Sequence, residues 1–169
     1  MKLIQSKLDH AEVLRRLSYN PETGELRRRS MDRRGGNFGV DVRVAGNDKG
    51  NGYRQIGIMG EKHNAHRLIW FMHHREWPTK DIDHINGIRD DNRIANLRCV
   101  SRQLNLQNRH STCNGAEIPF LGVSKKGTRF FSQIRANGQH KYLGTYDTPE
   151  QAHQAYVTAK RALHEGCTI

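Results

Sequence analysis

The stretch DIDHINGIRDDNRIANLRCVSRQLNLQN, residues 81–108, decides how the rest of the chain is read. Asp81 to Ile85 and Leu97 to Val100 have the character of short strands, the turn pair Asn86-Gly87 closes the first, and a polar loop joins the two. Ser101 suits an N-cap, so a helix with Leu104 on its inner face follows and runs to about Arg109. On this strand, loop, strand, helix scaffold, Asp83 and His84 stand at the end of the first strand and Asn96 just before the second. Asn105 lies on the helix, one turn from Ser101 and Arg102. Adjacent residues on a regular strand point to opposite faces, so Asp83 and His84 converge only where the strand bends or ends, and Asn86-Gly87 supplies that bend. Taken one at a time, Asn92 and Asn96 read equally as turn residues and Asn105 as a solvated helix residue. Only their joint spacing singles them out.

That spacing, with the surrounding NLR and VS elements, resembles the HNH endonucleases, in the phage and homing-type branch where asparagine replaces the final histidine. The resemblance implies a ββα-metal finger in which Asp83 and Asn105 hold one divalent cation, Mg²⁺ first and Mn²⁺ second, against a scissile phosphate. It makes His84 the general base, Asn96 the residue that fixes the loop by hydrogen bonds, and Arg102 a side chain facing the phosphate. The chemistry agrees with these residue types. Phosphodiester hydrolysis needs charge neutralised, a water deprotonated and a leaving alkoxide stabilised; a hard cation on Asp and Asn oxygens serves the first and third. Histidine, with its ordinary pKa near neutrality, serves the second. The likeness extends upstream through AGNDKGNGYRQIGIMGEKHNAHRLIWFMHHREWP, residues 45–78, as supporting strands and helix. There Ala65 to His74 reads as a buried helix ended by Trp77-Pro78. Ten histidines raise the question of zinc, with His63 and His66 three apart and His73 and His74 adjacent. Without cysteine partners no structural zinc is expected, and His66 reads as a packed or hydrogen-bonded structural residue.

The whole chain has 169 residues, a formal net charge of +11 and a pI near 10, which points to a polyanionic partner. The charge is spread as +5, +3 and +3 over residues 1–58, 59–115 and 116–169, as suits a protein lying along a phosphate backbone. Mean hydropathy is −0.84 and the longest apolar run, Leu68 to Met72, is five residues, so no membrane partner is expected. The amino-terminal MKLIQSKLDH lacks a signal-like core, which makes an untargeted cytoplasmic protein the expectation, in a phage-infected bacterial cell where the phage resemblance holds. Cys99, Cys113 and Cys167 have neither disulfide-framework nor zinc spacing and read as free thiols.

Residues 7–18 suggest an amphipathic helix with Leu8, Val13, Leu14 and Leu17 on its apolar side, followed by hairpin chemistry between Tyr19 and Arg28. Arg27, Arg28, Arg29, Arg33 and Arg34, in a segment ending at Gly35-Gly36, read as a mobile loop that orders on DNA. From Val40 to Ile58, short β-type pieces alternate with glycines.

After a polar linker at 110–119, the sequence FLGVSKKGTRFFSQIRANGQHKYLGTYDTPEQAHQAYVTAKRALHEG, residues 120–166, resembles an APETALA2-type DNA-binding domain. The resemblance implies a three-stranded antiparallel sheet backed by one helix, its open face in the major groove. Alternation puts Arg129, Phe131, Gln133 and Arg135 on one face, with His140 and Tyr142; Phe130, Ser132, Ile134 and Leu143 turn toward Ala155 and Ala159 of the helix. Arginine reads guanine and glutamine adenine, and Lys126 adds charge at the hairpin. Leu121 and Ser124 stand where the family is usually basic and Tyr142 where it has tryptophan, so base specificity does not transfer. A face making phosphate contacts only is the other reading.

The expectation is thus an α+β chain: residues 1–109 a ββα-metal nuclease domain with an N-terminal helix and small sheet, 110–119 a linker, and 120–167 an APETALA2-like domain. Its expected function is metal-dependent hydrolysis of double-stranded DNA by a monomer, with a dimer left open. The alternative is a non-catalytic, sequence-reading DNA-binding protein or regulator.

Overall fold

The apolar face of one ten-residue helix gathers the elements around the candidate site. The computed structural model describes residues 8–31, 37–48, 50–112 and 116–169. Its architecture is α+β, and the chain divides into two units, Met1–Val100 and Ser101–Ile169.

In the first unit, α1 (His10–Arg16) leads into a sheet of β1 (Leu17–Tyr19), β2 (Leu26–Met31) and β3 (Asn37–Val44), paired antiparallel in that order. A second antiparallel sheet joins β4 (Asn47–Asp48), β5 (Arg54–Ile58) and β6 (Glu61–Asn64). Then come α2 (Ala65–His74), β7 (Asp81–His84), a short 3₁₀ turn at Ile94–Asn96 and β8 (Leu97–Val100). α2 turns Ala65, Leu68, Ile69 and Phe71 into a core shared with Val13, Leu17, Leu26, Ile56, Ile82 and Leu97. Each fully buried aliphatic side chain of this kind contributes roughly 1.5–3 kcal/mol. The helix stops at His74 because Arg75 turns left-handed (φ 61°) and its N–H bonds back to Phe71 O, ahead of Trp77-Pro78.

Two local expectations are corrected. α1 is shorter than 7–18 and leaves Leu14 exposed, since the chain turns extended at Leu17, which is buried from the strand instead. The arginine-rich segment starts as strand β2, paired on both sides, and not as a loop. Leu26 anchors it in the core, while Arg28 donates to Gly57 O (3.0 Å) and Arg29 to Leu17 O (3.1 Å). Arg33 and Arg34 lie outside the described residues.

The second unit holds α3 (Arg102–Gln107), β9 (Val123–Lys126), β10 (Arg129–Ala136), β11 (Gln139–Tyr146) and α4 (Pro149–Leu163). The strands form one antiparallel sheet with β10 central, and α4 packs on it. Asn137 and Gly138, both left-handed (φ 51° and 80°), make the two-residue turn between β10 and β11. α4 starts with Thr148 accepting from Gln151 N (3.3 Å) and Pro149 in its first turn, and ends at Leu163, before Gly166. The second compact unit begins at Ser101. α3 and the residues after it are tied to the carboxyl end: Gly166 N donates to Gln107 Oε1 (3.1 Å), His110 bonds Thr168 (3.1 Å), and the buried Lys160 ammonium donates to Arg109 O.

Gly122 (φ +74°) delays the start of β9, and a Cβ there would come within 1.8 Å of the Tyr156 ring; Gly138 (φ +80°) has open space around it. Gly138→Ala should therefore cost only the left-handed penalty of about 1–2 kcal/mol. Gly122→Ala should cost ~2 kcal/mol more through overpacking, measured by denaturant unfolding of the two variants side by side.

Candidate active site

β7 and β8 pair antiparallel with Asp83 opposite Arg98 and His84 opposite Leu97. Ile82 and Leu97 fill the core, so the strand end is held against the first unit's interior and Asp83 and His84 are both buried. The strand ends at His84: Ile85 N donates to Asn96 O (2.9 Å) and Gly87 N to His84 O (2.9 Å), closing a turn in which Gly87 is left-handed. Arg98 donates from Nε (2.9 Å) and from its terminal nitrogen (2.8 Å) to Asp83 Oδ2, so the buried carboxylate has a counter-charge across the strand pair.

Asn96 ties the loop between the strands. Its Oδ1 accepts from Asn86 N (3.0 Å), and its Nδ2 donates to Asn86 Oδ1 (2.9 Å) and Asp91 O (2.8 Å). Asp91 accepts a fork from Arg93 (2.7 and 2.6 Å) and a bond from Asn86 Nδ2 (2.7 Å); the Arg93 contact, foremost, holds its carboxyl down at about 2. Asn92, which the sequence left as a turn residue, is buried and its Oδ1 lies 3.1 Å from His84 Nε2.

Around His84 three rings meet. His66 is edge-on to it at 5.3 Å between centroids, and Tyr53 is 5.9 Å from His84 and 5.3 Å from His66. Arg89 lies over the outer side of Tyr53 at 5.1 Å. Burial pushes His84 below the ordinary histidine value, with the Asn92 bond and the charges of Asp83, Asp91 and Asp90 opposing it in part. Burial also pushes His66 down to about 3, helped by His84 and Arg67. Both imidazoles are therefore neutral at pH 7, and His84 is in the form that accepts a proton.

Arg102 and Asn105 lie on α3, in the second unit, capped by Ser101 Oγ accepting from Leu104 N (3.3 Å). No group of three or more His, Cys, Asp or Glu side chains able to hold a metal occurs among the described residues. The pair singled out by the sequence, a carboxylate and an amide oxygen, is a different kind of donor set, suited to a hard divalent ion that keeps several of its waters. Of the expected DNA contacts, Arg27, Arg28 and Arg29 lie on β2, and Arg27 pairs with Glu25 (2.8 Å). In the second unit, the register sets Lys126 opposite Arg129, Gln133 opposite Tyr142 and Arg135 opposite His140, all six exposed. Cross-strand partners share a face, so these side chains form one basic and aromatic surface. Arg129 also pairs with Asp147 (3.1 Å).

Residues 63–107 match the family model of the HNH endonucleases. The HNH segment begins within β6, takes in α2, β7 and β8, and ends with the last residue of α3, so Asp83, His84, Asn96, Arg102 and Asn105 all fall inside it. The match supports a nuclease-type enzyme with DNA as the implied substrate. No curated protein and no solved structure matches the chain. No helix among the described residues is long and apolar enough to cross a membrane. Tyr53, Asn92 and Arg98 were not marked as site residues by the sequence; Arg98 lies in the quoted NLR element, whereas nothing local sets Tyr53 apart from other strand-edge aromatics.

The two lowered histidines give stability a sign. Below about pH 6.5 the unfolded chain takes up a proton that the folded His66 refuses, so the stability present above that pH is lost as pH falls toward about 3, and the lowered His84 acts in the same direction. For His66 the slope is roughly 1.4 kcal/mol per pH unit. Urea titrations at pH 7, 6 and 5 should show this loss, and His66→Phe, which keeps a ring without a titrating nitrogen, should lose less over the same window. Equal losses would mean that His66 takes up its proton in the folded state.

Proposed function

We propose that the chain is a phage or homing-type DNA endonuclease of the ββα-metal kind, with Asn105 in place of the last histidine and double-stranded DNA as substrate. The observation that supports it most is His84, buried and neutral at the end of β7 beside Asp83, with its Nε2 engaged by Asn92. Asp83 and Asn105 would hold one divalent cation, Mg²⁺ or Mn²⁺. When bound, that ion neutralises the scissile phosphate and stabilises the leaving alkoxide. His84 takes the proton of the attacking water; the water oxygen bonds to phosphorus as the bond to the leaving oxygen breaks, and the alkoxide is reprotonated from solvent. Asn96 keeps the loop between β7 and β8 in place, and Arg102 faces the phosphate. One such site on one chain suits a monomer that nicks one strand per encounter, acting in the cytoplasm of an infected host.

DNA would be held by the arginines of the first unit, Arg27, Arg28, Arg29, Arg33 and Arg34. The APETALA2-like sheet would read it, through Lys126, Arg129, Gln133, Arg135, His140 and Tyr142 in the major groove. A second reading, a DNA-binding protein without catalysis, draws on the Arg98–Asp83 pair, which gives the carboxylate a structural partner.

Nicking of a supercoiled plasmid with and without Mg²⁺ separates the two. His84→Ala should lower the nicking rate by about 10²–10⁴ with DNA affinity near wild type, and Asp83→Ala should raise the Mg²⁺ concentration needed or abolish cleavage. A wild-type chain that binds tightly and never nicks would favour the second reading.

Replacing Arg129, Gln133 and Arg135 together by Ala should weaken binding, flatten the preference between a selected duplex and random competitors, and make log Kd less steep in log salt. Weaker binding with an unchanged preference would leave that face to phosphates alone. Competition binding at fixed salt measures both.

A further inference from the structure

The site's base depends on residues far outside the HNH segment. Asn92 Nδ2 faces Asp90 O (3.3 Å), which orients the carboxamide and turns Oδ1 toward His84. An amide oxygen only accepts, so His84 Nε2 must carry the hydrogen, and the lone pair of the neutral ring is on Nδ1. The backbone of Asn92 is itself gripped from the β1–β2 hairpin. Tyr19 Oη donates to Asn92 O (3.1 Å) and accepts from Ile94 N (2.9 Å), bridging the loop on both sides of Arg93. Gly24, buried and left-handed in the hairpin turn, lies so close that a Cβ would come within 2.5 Å of Arg93 N and 2.7 Å of Asn92 C. The turn that presents Gly24 is held by its own bonds, Gly24 N to Asn20 O and Asn20 N to Glu25 O, both 2.9 Å.

We propose that the β1–β2 hairpin is a positioning element of the active site: Tyr19 and Gly24 lock the Asn92 backbone, and Asn92 locks His84 in one orientation and one tautomer, with the ring hydrogen on Nε2. This deepens the nuclease reading and rests on it for its catalytic part. Tyr19 and Asn92 are positioning residues, acting through His84. A base whose tautomer is left to chance is correctly set in only part of the molecules, and one displaced by an ångström loses far more. Because the clamp acts through His84 on the chemical step, its loss is read in kcat and not in KM.

The test uses the full-length chain labelled with ¹⁵N on histidine, with the His84 signals assigned by their absence in His84→Gln. Two-bond ¹H–¹⁵N correlation spectra at pH 7.5 read the tautomer directly, and single-turnover and steady-state cleavage with Mg²⁺ read the chemistry. Wild type should show His84 as one species with the hydrogen on Nε2. Asn92→Ala should give a tautomer mixture and a kcat lower by about 10-fold or more with KM within about twofold. Asn92→Asp, which keeps the acceptor, should restore the single tautomer. Tyr19→Phe keeps the ring and removes both bridging bonds; it should shift the tautomer populations and lower kcat by about 3- to 10-fold, and Gly24→Ala should do the same by moving the 92–93 backbone. Unchanged His84 signals and kcat in Tyr19→Phe and Asn92→Ala, while His84→Gln is inactive, would overturn the clamp and leave the nuclease reading standing. A wild type that cleaves nothing overturns the nuclease reading and the catalytic part with it, whereas the tautomer spectra judge the clamp without any activity.

Discussion

A neutral imidazole buried beside a strand end has one hydrogen to donate and one lone pair to use, and an unmet donor in such a place costs about 1–3 kcal/mol. The bond from His84 Nε2 to Asn92 meets the donor's demand, and much of the first unit is arranged so that Asn92 can make it. Asp90 O turns its amide, Tyr19 and the turn at Gly24 hold its backbone, and Asn96 with Asp91 keeps the surrounding loop from opening. His66 and Tyr53 lie against the ring, and burial outweighs the carboxylates nearby in setting the charge of His84. A loop of this length without such ties would sample many conformers, and the His84 ring would share its disorder.

The second constraint is electrostatic. A chain of +11 repels itself, and many of its arginines are drawn off into local partnerships: Arg93 with Asp91, Arg98 with Asp83, Arg15 and Arg16 with Glu12. The more exposed of these, Arg15 and Arg16 with Glu12, add little to stability, whereas the Asp83 carboxylate is buried and needs its partner. The effect of these pairs is to divide the positive charge into side chains committed to the fold and side chains directed outward, such as Arg135 and Lys126 on the sheet of the second unit.

Elements with strong local chemistry were legible in the sequence. Helix α2 lies where its apolar run placed it, the β7–β8 pair falls within a residue of the expected bounds, and Ser101, Thr148 and Asn137-Gly138 cap and turn as their side chains dictate. Where the sequence misled, tertiary pairing won. The arginines after Leu26 look like a loop until two neighbouring strands and the carbonyls of Leu17 and Gly57 are available to them. Asn92 and Tyr19 could not be linked from the sequence at all, because 73 residues separate them and a single hydrogen bond between backbone and side chain leaves no periodic trace.

The register of the second unit's sheet shifts between Ser132 and Gln133, so that Ser132 faces Gly144 and Gln133 faces Tyr142, with Leu143 taken up by the bulge. Ser132 and Ile134 stay buried while Gln133 and Arg135 beside them are exposed. Such a sheet has an evolutionary freedom that few surfaces have: its outward chemistry can be rewritten one residue at a time, with no compensating change inside, provided that the strand's length is never altered.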